Sequence, residues 1–351
     1  MKTLVFPSAG LQKVSGDQQT TVINTAFTSA LTVEVVDSSG NGLPGAQVNF
    51  QVTSGTATVG SLSAITDSSG QASTTVTAGA APGTITVSAT SAAFSVTFTL
   101  TARPPGPSNV TIENGASFNP NTGISPGGIA IIRGVGIVPD VQGVLSAPAN
   151  AAGQLPTTFS GVTITFNGTP APIYYVNHTD SSDQVAVQVP FEVQPGSAVS
   201  LTVNVASEPP NTVMVPVKPL APGIFTSVYG GKTYAAAVRP DGSSVSPTNP
   251  AQRGENIQLY VTGLGQATPT IATGTPGLPN QVADSPLVVG LNNGQVPLVA
   301  AVYGPNLIGV YVVVLQVPAD TKTGEYQPIG LIAYDSANNS YYAQSTYIPI
   351  Q

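Results

Sequence analysis

Apolar and polar residues alternate with a period of two along most of the chain, and helical periodicity is hard to find. Segments 31–35, 47–52 and 94–98 are clear examples, each with apolar side chains at every second position. Such alternation is typical of a strand that buries one face. Clusters of Gly, Pro, Asp, Asn and Ser separate these segments and indicate tight turns. The pattern therefore predicts an all-β protein built from sandwiches.

The segment 103–107, Arg-Pro-Pro-Gly-Pro, predicts a stiff, extended connector and the first domain boundary. Before this connector, the alternating segments suggest about seven strands, the number expected of an immunoglobulin-like sandwich.

After the connector the sequence repeats itself. Three motifs recur in the same order, and their members lie 129, 126 and 128 residues apart: Gly134 and Gly263, Asn167 and Asn293, Pro190 and Pro318. A nearly constant offset is typical of an internal duplication. We therefore predict three tandem Ig-like β-sandwich domains at 1–102, 103–219 and 220–351, the last two being copies. The pairs 167–168 and 293–294, both Asn-Gly, predict two-residue hairpin turns.

Charge and composition exclude several functions. Charged residues make up only 7% of the chain and the net charge is −7, so nine scattered Lys and Arg form no patch for nucleic acid. Cysteine is absent, which excludes thiol catalysis and Cys–zinc sites. No apolar run approaches the roughly 18 residues of a membrane span, so we expect none.

Few residues suggest catalysis. His178 is the only histidine and no Gly-x-Ser-x-Gly motif accompanies it. His178, Asp180 and Asp183 form a weak candidate metal site, because imidazole and carboxylates suit a divalent ion. A polar hairpin loop is the favoured interpretation of these residues, and Asx turns are favoured over calcium binding for Asp37 and Asp67. We predict a non-enzymatic protein without cofactors. A hydrolase using His178, or a carboxylate pair for glycoside hydrolysis, stays an open alternative.

Tyrosine is the commonest aromatic residue, and Tyr174-Tyr175 and Tyr341-Tyr342 are adjacent pairs. Neighbours on a strand point to opposite faces, so one tyrosine of each pair should point outward. These four residues are our candidates for contact with a glycan or protein, with inward packing as the competing interpretation.

Both ends of the chain suggest self-assembly. Leu4, Val5 and Phe6 form an apolar, strand-like start, and Ile348 and Ile350 lie in an apolar end. Either segment could add to a sheet edge of another subunit. The expected partners are other protein subunits, including copies of this chain, or surface glycans.

The first predicted domain resembles a known family. The run 35–50, Val-Val-Asp-Ser-Ser-Gly-Asn-Gly-Leu-Pro-Gly-Ala-Gln-Val-Asn-Phe, is similar to the bacterial Ig-like domain of group 1, the invasin and intimin type. Segments 66–72 and 83–89 fit the same pattern. The resemblance covers about 14–102 and implies a spacer or adhesin-stalk module without catalytic residues.

The remainder resembles two further families. Segments 161–176 and 188–196 are similar to the IPT/TIG-like repeat of large secreted acidobacterial proteins, although 177–183 is more acidic than the usual linker. Segments 221–225 and 259–265 resemble the Solibacter-type C-terminal domain. These resemblances imply architecture and export, with no established activity. We therefore predict a secreted or cell-surface structural or adhesive protein. The more specific form of this prediction is that the protein assembles into a filament. The alternative prediction is a glycan-binding accessory module.

Overall fold

The structure is a computed structural model that describes residues 8–138, 141–179, 182–206 and 208–351. Within these ranges the regular elements are all strands, with no helix, and the all-β prediction is therefore confirmed. No helix of the described chain is long and apolar enough to cross a membrane. The chain divides into two compact units, Met1–Pro105 and Gly106–Gln351.

The described part of the first unit, residues 8–105, contains ten strands. In chain order they are β1 (Gly10–Ser15), β2 (Thr20–Val22), β3 (Leu31–Val36), β4 (Gln47–Ser54), β5 (Ala57–Val59), β6 (Ser63–Ile65), β7 (Gln71–Thr74), β8 (Val76–Ala78), β9 (Gly83–Ser91) and β10 (Phe94–Arg103).

These strands form a sandwich. One sheet has the order β2-β10-β9-β4-β6, another has the order β1-β3-β7, and β5 pairs with β8. Leu31, Val33 and Val35 alternate along β3 and are fully buried. They belong to the same hydrophobic cluster as Phe50 on β4 and Phe98 on β10. The apolar residues that alternate in the sequence thus point into the space between the sheets and form one core there.

Aspartates hold two turns of this unit. Asp37 Oδ1 accepts the N–H groups of Ser39 at 2.8 Å and Asn41 at 3.0 Å. Asp67 makes the equivalent bonds, two and four residues further on, with the same lengths. These are the Asx turns favoured by the sequence. The N–H of Asn41 lowers the pKa of Asp37, and the hydroxyl of Ser69 lowers the pKa of Asp67.

Acidification should weaken these two turns. The folded pKa of Asp37 and of Asp67 lies below the ordinary value of 3.8. Their contribution to stability is therefore complete above that pH and is lost as the pH falls through the folded pKa. We expect the protection of the turn amides, measured relative to the intrinsic exchange rate at each pH, to fall below about pH 4. The Asp37→Asn/Asp67→Asn double variant keeps the acceptor oxygens but does not titrate. An acid response identical to that of the parent would contradict this prediction.

The second unit contains two sandwiches in succession. The strands of the middle sandwich are β11 (Ser108–Asn114), β12 (Ile129–Val135), β13 (Gly143–Ser146), β14 (Thr158–Phe159), β15 (Val162–Phe166), β16 (Thr169–Pro170), β17 (Ile173–Thr179), β18 (Ser182–Gln188), β19 (Ala198–Val205) and β20 (Asn211–Pro216).

The C-terminal sandwich follows directly. Its strands are β21 (Gly223–Ile224), β22 (Thr226–Tyr229), β23 (Lys232–Ala235), β24 (Ala237–Val238), β25 (Asn256–Thr262), β26 (Ala267–Thr268), β27 (Val282–Ala283), β28 (Leu287–Leu291), β29 (Gly294–Val296), β30 (Leu298–Tyr303), β31 (Tyr311–Gln316), β32 (Gly324–Tyr334), β33 (Ser340–Tyr342) and β34 (Thr346–Ile350).

The inner strands of the two sandwiches follow the same order, with β12-β18-β17-β13 matching β25-β31-β30-β27 and β15-β19-β20 matching β28-β32-β33. The middle sandwich has sheets β11-β12-β18-β17-β13 and β14-β15-β19-β20, and the C-terminal sandwich has β21-β25-β31-β30-β27-β26 and β29-β28-β32-β33. Equivalent pairs, β17–β18 and β30–β31, each carry a register shift near the start of their first strand. This correspondence supports the duplication. Each sandwich has its own hydrophobic cluster, but together they form one compact unit, so the boundary at 219–220 stays a prediction.

One of the two predicted hairpin turns is confirmed. Asn167 and Gly168 have φ angles of 48° and 81° between β15 and β16. The other prediction was wrong by one residue. Leu291 pairs with Gly294, which leaves Asn292 and Asn293, with φ of 53° and 65°, in the turn. Asparagine tolerates the left-handed region, so the turn does not need the glycine.

A buried polar network joins the two sandwiches. Gln188, fully buried at the end of β18, donates from Nε2 to the carbonyl of Gly127 at 3.2 Å and to the hydroxyl of Tyr303 at 3.3 Å. Its Oε1 accepts the N–H of Gly274 at 2.7 Å. The Tyr303 hydroxyl accepts the N–H of Gly309 at 2.5 Å. Because an unpaired buried polar group is costly, these bonds hold the sandwiches in one arrangement.

Thr262 and Gly309 extend this junction between the middle and C-terminal sandwiches, which we call the seam. The buried Thr262 hydroxyl accepts the N–H of Ile129 at 2.8 Å and donates to the carbonyl of Gly309 at 2.6 Å. Gly309 has φ of 64°, and a Cβ there would lie 2.8 Å from the Ile129 side chain and 2.9 Å from the Tyr174 hydroxyl. Only glycine permits this approach of the two sandwiches.

Replacing the central amide tests the seam. Gln188→Leu removes the acceptor of the Gly274 N–H and should destabilise the second unit by about 2–4 kcal/mol. Urea unfolding measures the loss, and amide exchange should accelerate at Gly274. Gln194→Leu, at an exposed position, is the matched control and should stay within about 0.5 kcal/mol of the parent. Equal effects of both variants would show that the amide network contributes nothing specific.

Candidate binding surfaces

The candidate metal residues belong to the β17–β18 hairpin. His178 and Asp183 pair across the strands, with 2.6 Å between Nδ1 and Oδ1. The other oxygen of Asp183 accepts the N–H groups of Ile137 at 2.7 Å and Val138 at 3.2 Å. Asp180, the third predicted ligand, lies outside the described residues. Both oxygens of Asp183 are therefore occupied within the fold, and no group of three possible ligands is found in the described part of the chain.

These contacts predict a structural role for Asp183. Asp183→Ala leaves two amides without their acceptor at a side chain only 3% exposed, and should cost about 2–3 kcal/mol of unfolding free energy. His178→Ala should cost less than about 1 kcal/mol, because its ring is 30% exposed. Thermal and urea unfolding check both values. A divalent ion that stabilises the parent but neither variant would instead support the metal site.

Tyr174 and Tyr175 are both partly buried. The register of β17 against β18 skips Tyr174, so this bulge breaks the expected alternation. The Tyr174 hydroxyl donates to the carbonyl of Ile308 at 2.6 Å, across the seam to the C-terminal sandwich. Burial raises the pKa of both tyrosines. Tyr174 thus joins the two sandwiches, and its hydroxyl is already engaged there rather than available to a glycan or a protein partner.

Tyr341 and Tyr342 follow the alternation. Tyr341 packs against the C-terminal core and donates to Asp335 Oδ2 at 2.9 Å, while Tyr342 is 65% exposed. Burial and the neighbouring Asp335 raise the pKa of Tyr341. The exposed Tyr342 lies between two clefts of about 650 and 330 Å³. Of the four predicted tyrosines, it is the one with an exposed ring at a concave surface.

The larger of these clefts lies along the junction of the two sandwiches. Lys218 lines it, but its amine donates to the carbonyls of Asn121 at 3.1 Å and Thr122 at 2.7 Å. Pro219 also lines an adjoining cleft of about 550 Å³ that contains Tyr334. We call the two clefts of about 650 and 550 Å³, which share Pro219, the seam clefts.

A second tyrosine cluster was missed by the sequence analysis. Tyr326 stacks on Tyr234 with ring centroids 5.7 Å apart, and Tyr347 meets Tyr326 edge-on at 5.8 Å. The Lys232 ammonium lies 4.6 Å from the Tyr326 ring centroid, and the Tyr234 hydroxyl donates to Glu325 at 2.5 Å. Burial and this bond raise the pKa of Tyr234.

The cluster had little signal in the sequence because its members come from β23, β32 and β34. Alternation within β34 was the one available clue. Tyr347 is the outward residue between the inward Thr346 and Ile348, and it is 47% exposed.

The predicted assembly segments have different positions. Ile348 and Ile350 are 0% and 3% exposed, and β34 pairs with β32 within its own sandwich. They therefore contribute to the core of this chain, and adding to another subunit would require β34 to leave it. Leu4, Val5 and Phe6 lie outside the described residues.

Comparisons identify the class of the first unit. Residues 12–103 match the model of the bacterial Ig-like domain (group 1). This match confirms the resemblance predicted for that region. No curated protein matches the chain. The resemblances predicted for 108–351 stay predictions.

Three solved structures are similar in fold class. The Escherichia coli adhesin FdeC is 11% identical, with 99% of this chain and 100% of that chain covered and a TM-score of 0.27. Invasin, a bacterial integrin-binding protein, is 14% identical over 97% of this chain and 60% of its own, with a TM-score of 0.27. The Bacteroides ovatus protein SGBP-B, solved with a mixed-linkage heptasaccharide, is 10% identical over 100% and 69%, with a TM-score of 0.31. Scores this low carry no argument about function.

Proposed function

We propose that this chain is a non-catalytic extracellular protein with a structural or adhesive role at a bacterial surface. The observation that supports it most directly is the match of residues 12–103 to the bacterial Ig-like domain of group 1. A closed sandwich without disulfides can act as a stable spacer, because its inward side chains already form a complete core. The clefts of the second unit are where a partner would bind.

Binding to cells tests this role. We expect fluorescently labelled protein to bind a cell or matrix surface saturably, with unlabelled protein as the competitor. A hydrolytic activity that disappears in His178→Ala would contradict the proposal, since His178 is the only histidine of the chain.

Glycan binding is the second candidate. It is favoured by the exposed ring of Tyr342 between two clefts, because an aromatic face provides apolar contact area at little entropic cost. If the seam clefts bind a glycan, Tyr342→Ala should weaken binding about tenfold on a glycan array followed by calorimetry. Met214→Ala removes an equally exposed apolar side chain outside these clefts and should change nothing. If both variants bound the glycan with equal affinity, Tyr342 would be excluded from the binding site.

Assembly into a filament is a sharper version of the structural role. Among the described strands, β13 pairs only with β17, and its Val144 and Leu145 are 66% and 46% exposed. An edge strand with apolar side chains can accept an added strand, for which Leu4-Val5-Phe6 is the candidate. We expect fibres in electron micrographs of the full chain and none after deletion of residues 1–7 or after Val144→Lys. Fibres that survive both changes would contradict this mode of assembly.

A further inference from the structure

Phe118 has an unusual backbone and an unusual exposure. Its φ is 51°, in the left-handed region, and its side chain is 51% exposed. A bulky side chain is rare at positive φ, and such strain persists only where the surroundings impose it. An exposed phenylalanine also gains little from burial. Neither local conformation nor core packing therefore accounts for this residue.

Asn114 imposes the strained turn. Its side chain is 1% exposed, and Oδ1 accepts the N–H groups of Ala116 at 3.0 Å and Ser117 at 3.1 Å. Its backbone carbonyl accepts the N–H of Phe118 at 2.9 Å. Its Nδ2 donates to the carbonyl of Ala221 at 2.9 Å, in the segment that leads into the C-terminal sandwich. The position of Phe118 is thus fixed relative to both sandwiches of the second unit.

Phe118 lines a cleft of about 510 Å³ together with residues of the C-terminal sandwich. Tyr347 contributes a second exposed ring to it. This ring is supported edge-on by Tyr326, which in turn stacks on the buried Tyr234. The ring of Tyr347 and the backbone that carries Phe118 are therefore positioned before any ligand binds, which lowers the entropic cost of binding.

The remaining lining indicates the kind of ligand. None of the eleven lining residues is charged, and six besides Tyr347 carry a hydroxyl or amide side chain: Ser117, Thr226, Thr233, Gln344, Ser345 and Thr346. A charged group entering this cleft would lose water without gaining a partner of opposite charge. A ligand with many hydroxyls and an apolar ring face would find both kinds of contact. A neutral sugar has this chemistry.

We propose that the cleft between Phe118 and Tyr347 binds a neutral oligosaccharide. Sugar rings pack on the two aromatic side chains, and sugar hydroxyls bond to side chains such as Thr226 and Gln344. The inference rests on the glycan-binding function proposed above and gives it a site other than the seam clefts.

A glycan array with neutral and anionic glycans, followed by calorimetry with the best neutral hit, tests the inference. Phe118→Asn removes the ring while asparagine tolerates the same φ, so its melting temperature should be unchanged or higher. Tyr347→Ala removes the second ring. We expect each variant to weaken binding about tenfold or more, with Met214→Ala as the unchanged control.

Three results would overturn the site. Binding that is insensitive to Phe118→Asn and Tyr347→Ala, or lost only in Tyr342→Ala, would leave glycan binding in place but move it elsewhere. Binding of anionic glycans alone would exclude the neutral class. A parent protein that binds cells but no glycan would remove both this inference and the glycan function, while the adhesive role would stand.

Discussion

The buried amide of Gln188 is the contact on which the second unit depends. It bonds to a carbonyl of its own sandwich and to two groups of the next one. Apolar contact alone would permit many sliding arrangements between two sandwiches, since it has no direction. A buried amide with three partners accepts one arrangement, because any other leaves a donor or acceptor unpaired.

The shapes of the seam clefts and of the cleft between Phe118 and Tyr347 depend on that arrangement of the two sandwiches. The seam clefts combine Asn121 from the middle sandwich with Tyr342 from the C-terminal one. The other cleft combines Phe118 with Tyr347 in the same way. Neither sandwich alone contains a complete lining, so the polar seam is a condition for both surfaces.

The sequence was most informative where one strand decides the outcome. Alternation predicted the strands, the inward β3 face and that one of Tyr341 and Tyr342 points outward, because each depends only on period two. Alternation failed at Tyr174, where a bulge interrupts the period, and the Asn-Gly pair misplaced the turn at Asn293, where two asparagines shift it by one residue. Both failures concern single backbone positions: a bulge at Tyr174 changes the face of one side chain, and Asn292 adopts the left-handed conformation that the prediction assigned to glycine.

Features that need several strands were not predictable in this way. Tyr326 and Tyr347 meet through the pairing of β32 with β34, and Tyr234 reaches Tyr326 from β23, about ninety residues earlier in the chain. Gln188 had only a modest signal, as a polar residue in an otherwise apolar strand end. Its partners Gly274 and Tyr303 lie about a hundred residues away, where sequence periodicity carries no information.

The approach at Gly309 bears on how such a chain can evolve. A repeat whose neighbours touch only through a flexible linker can be gained, lost or reordered by recombination without structural penalty. Here the C-terminal sandwich has a glycine at the point where any side chain would clash with Ile129 and Tyr174 of the middle sandwich. The two sandwiches are therefore expected to be inherited as a pair, and substitutions on one side of their junction should be accompanied by compensating ones on the other.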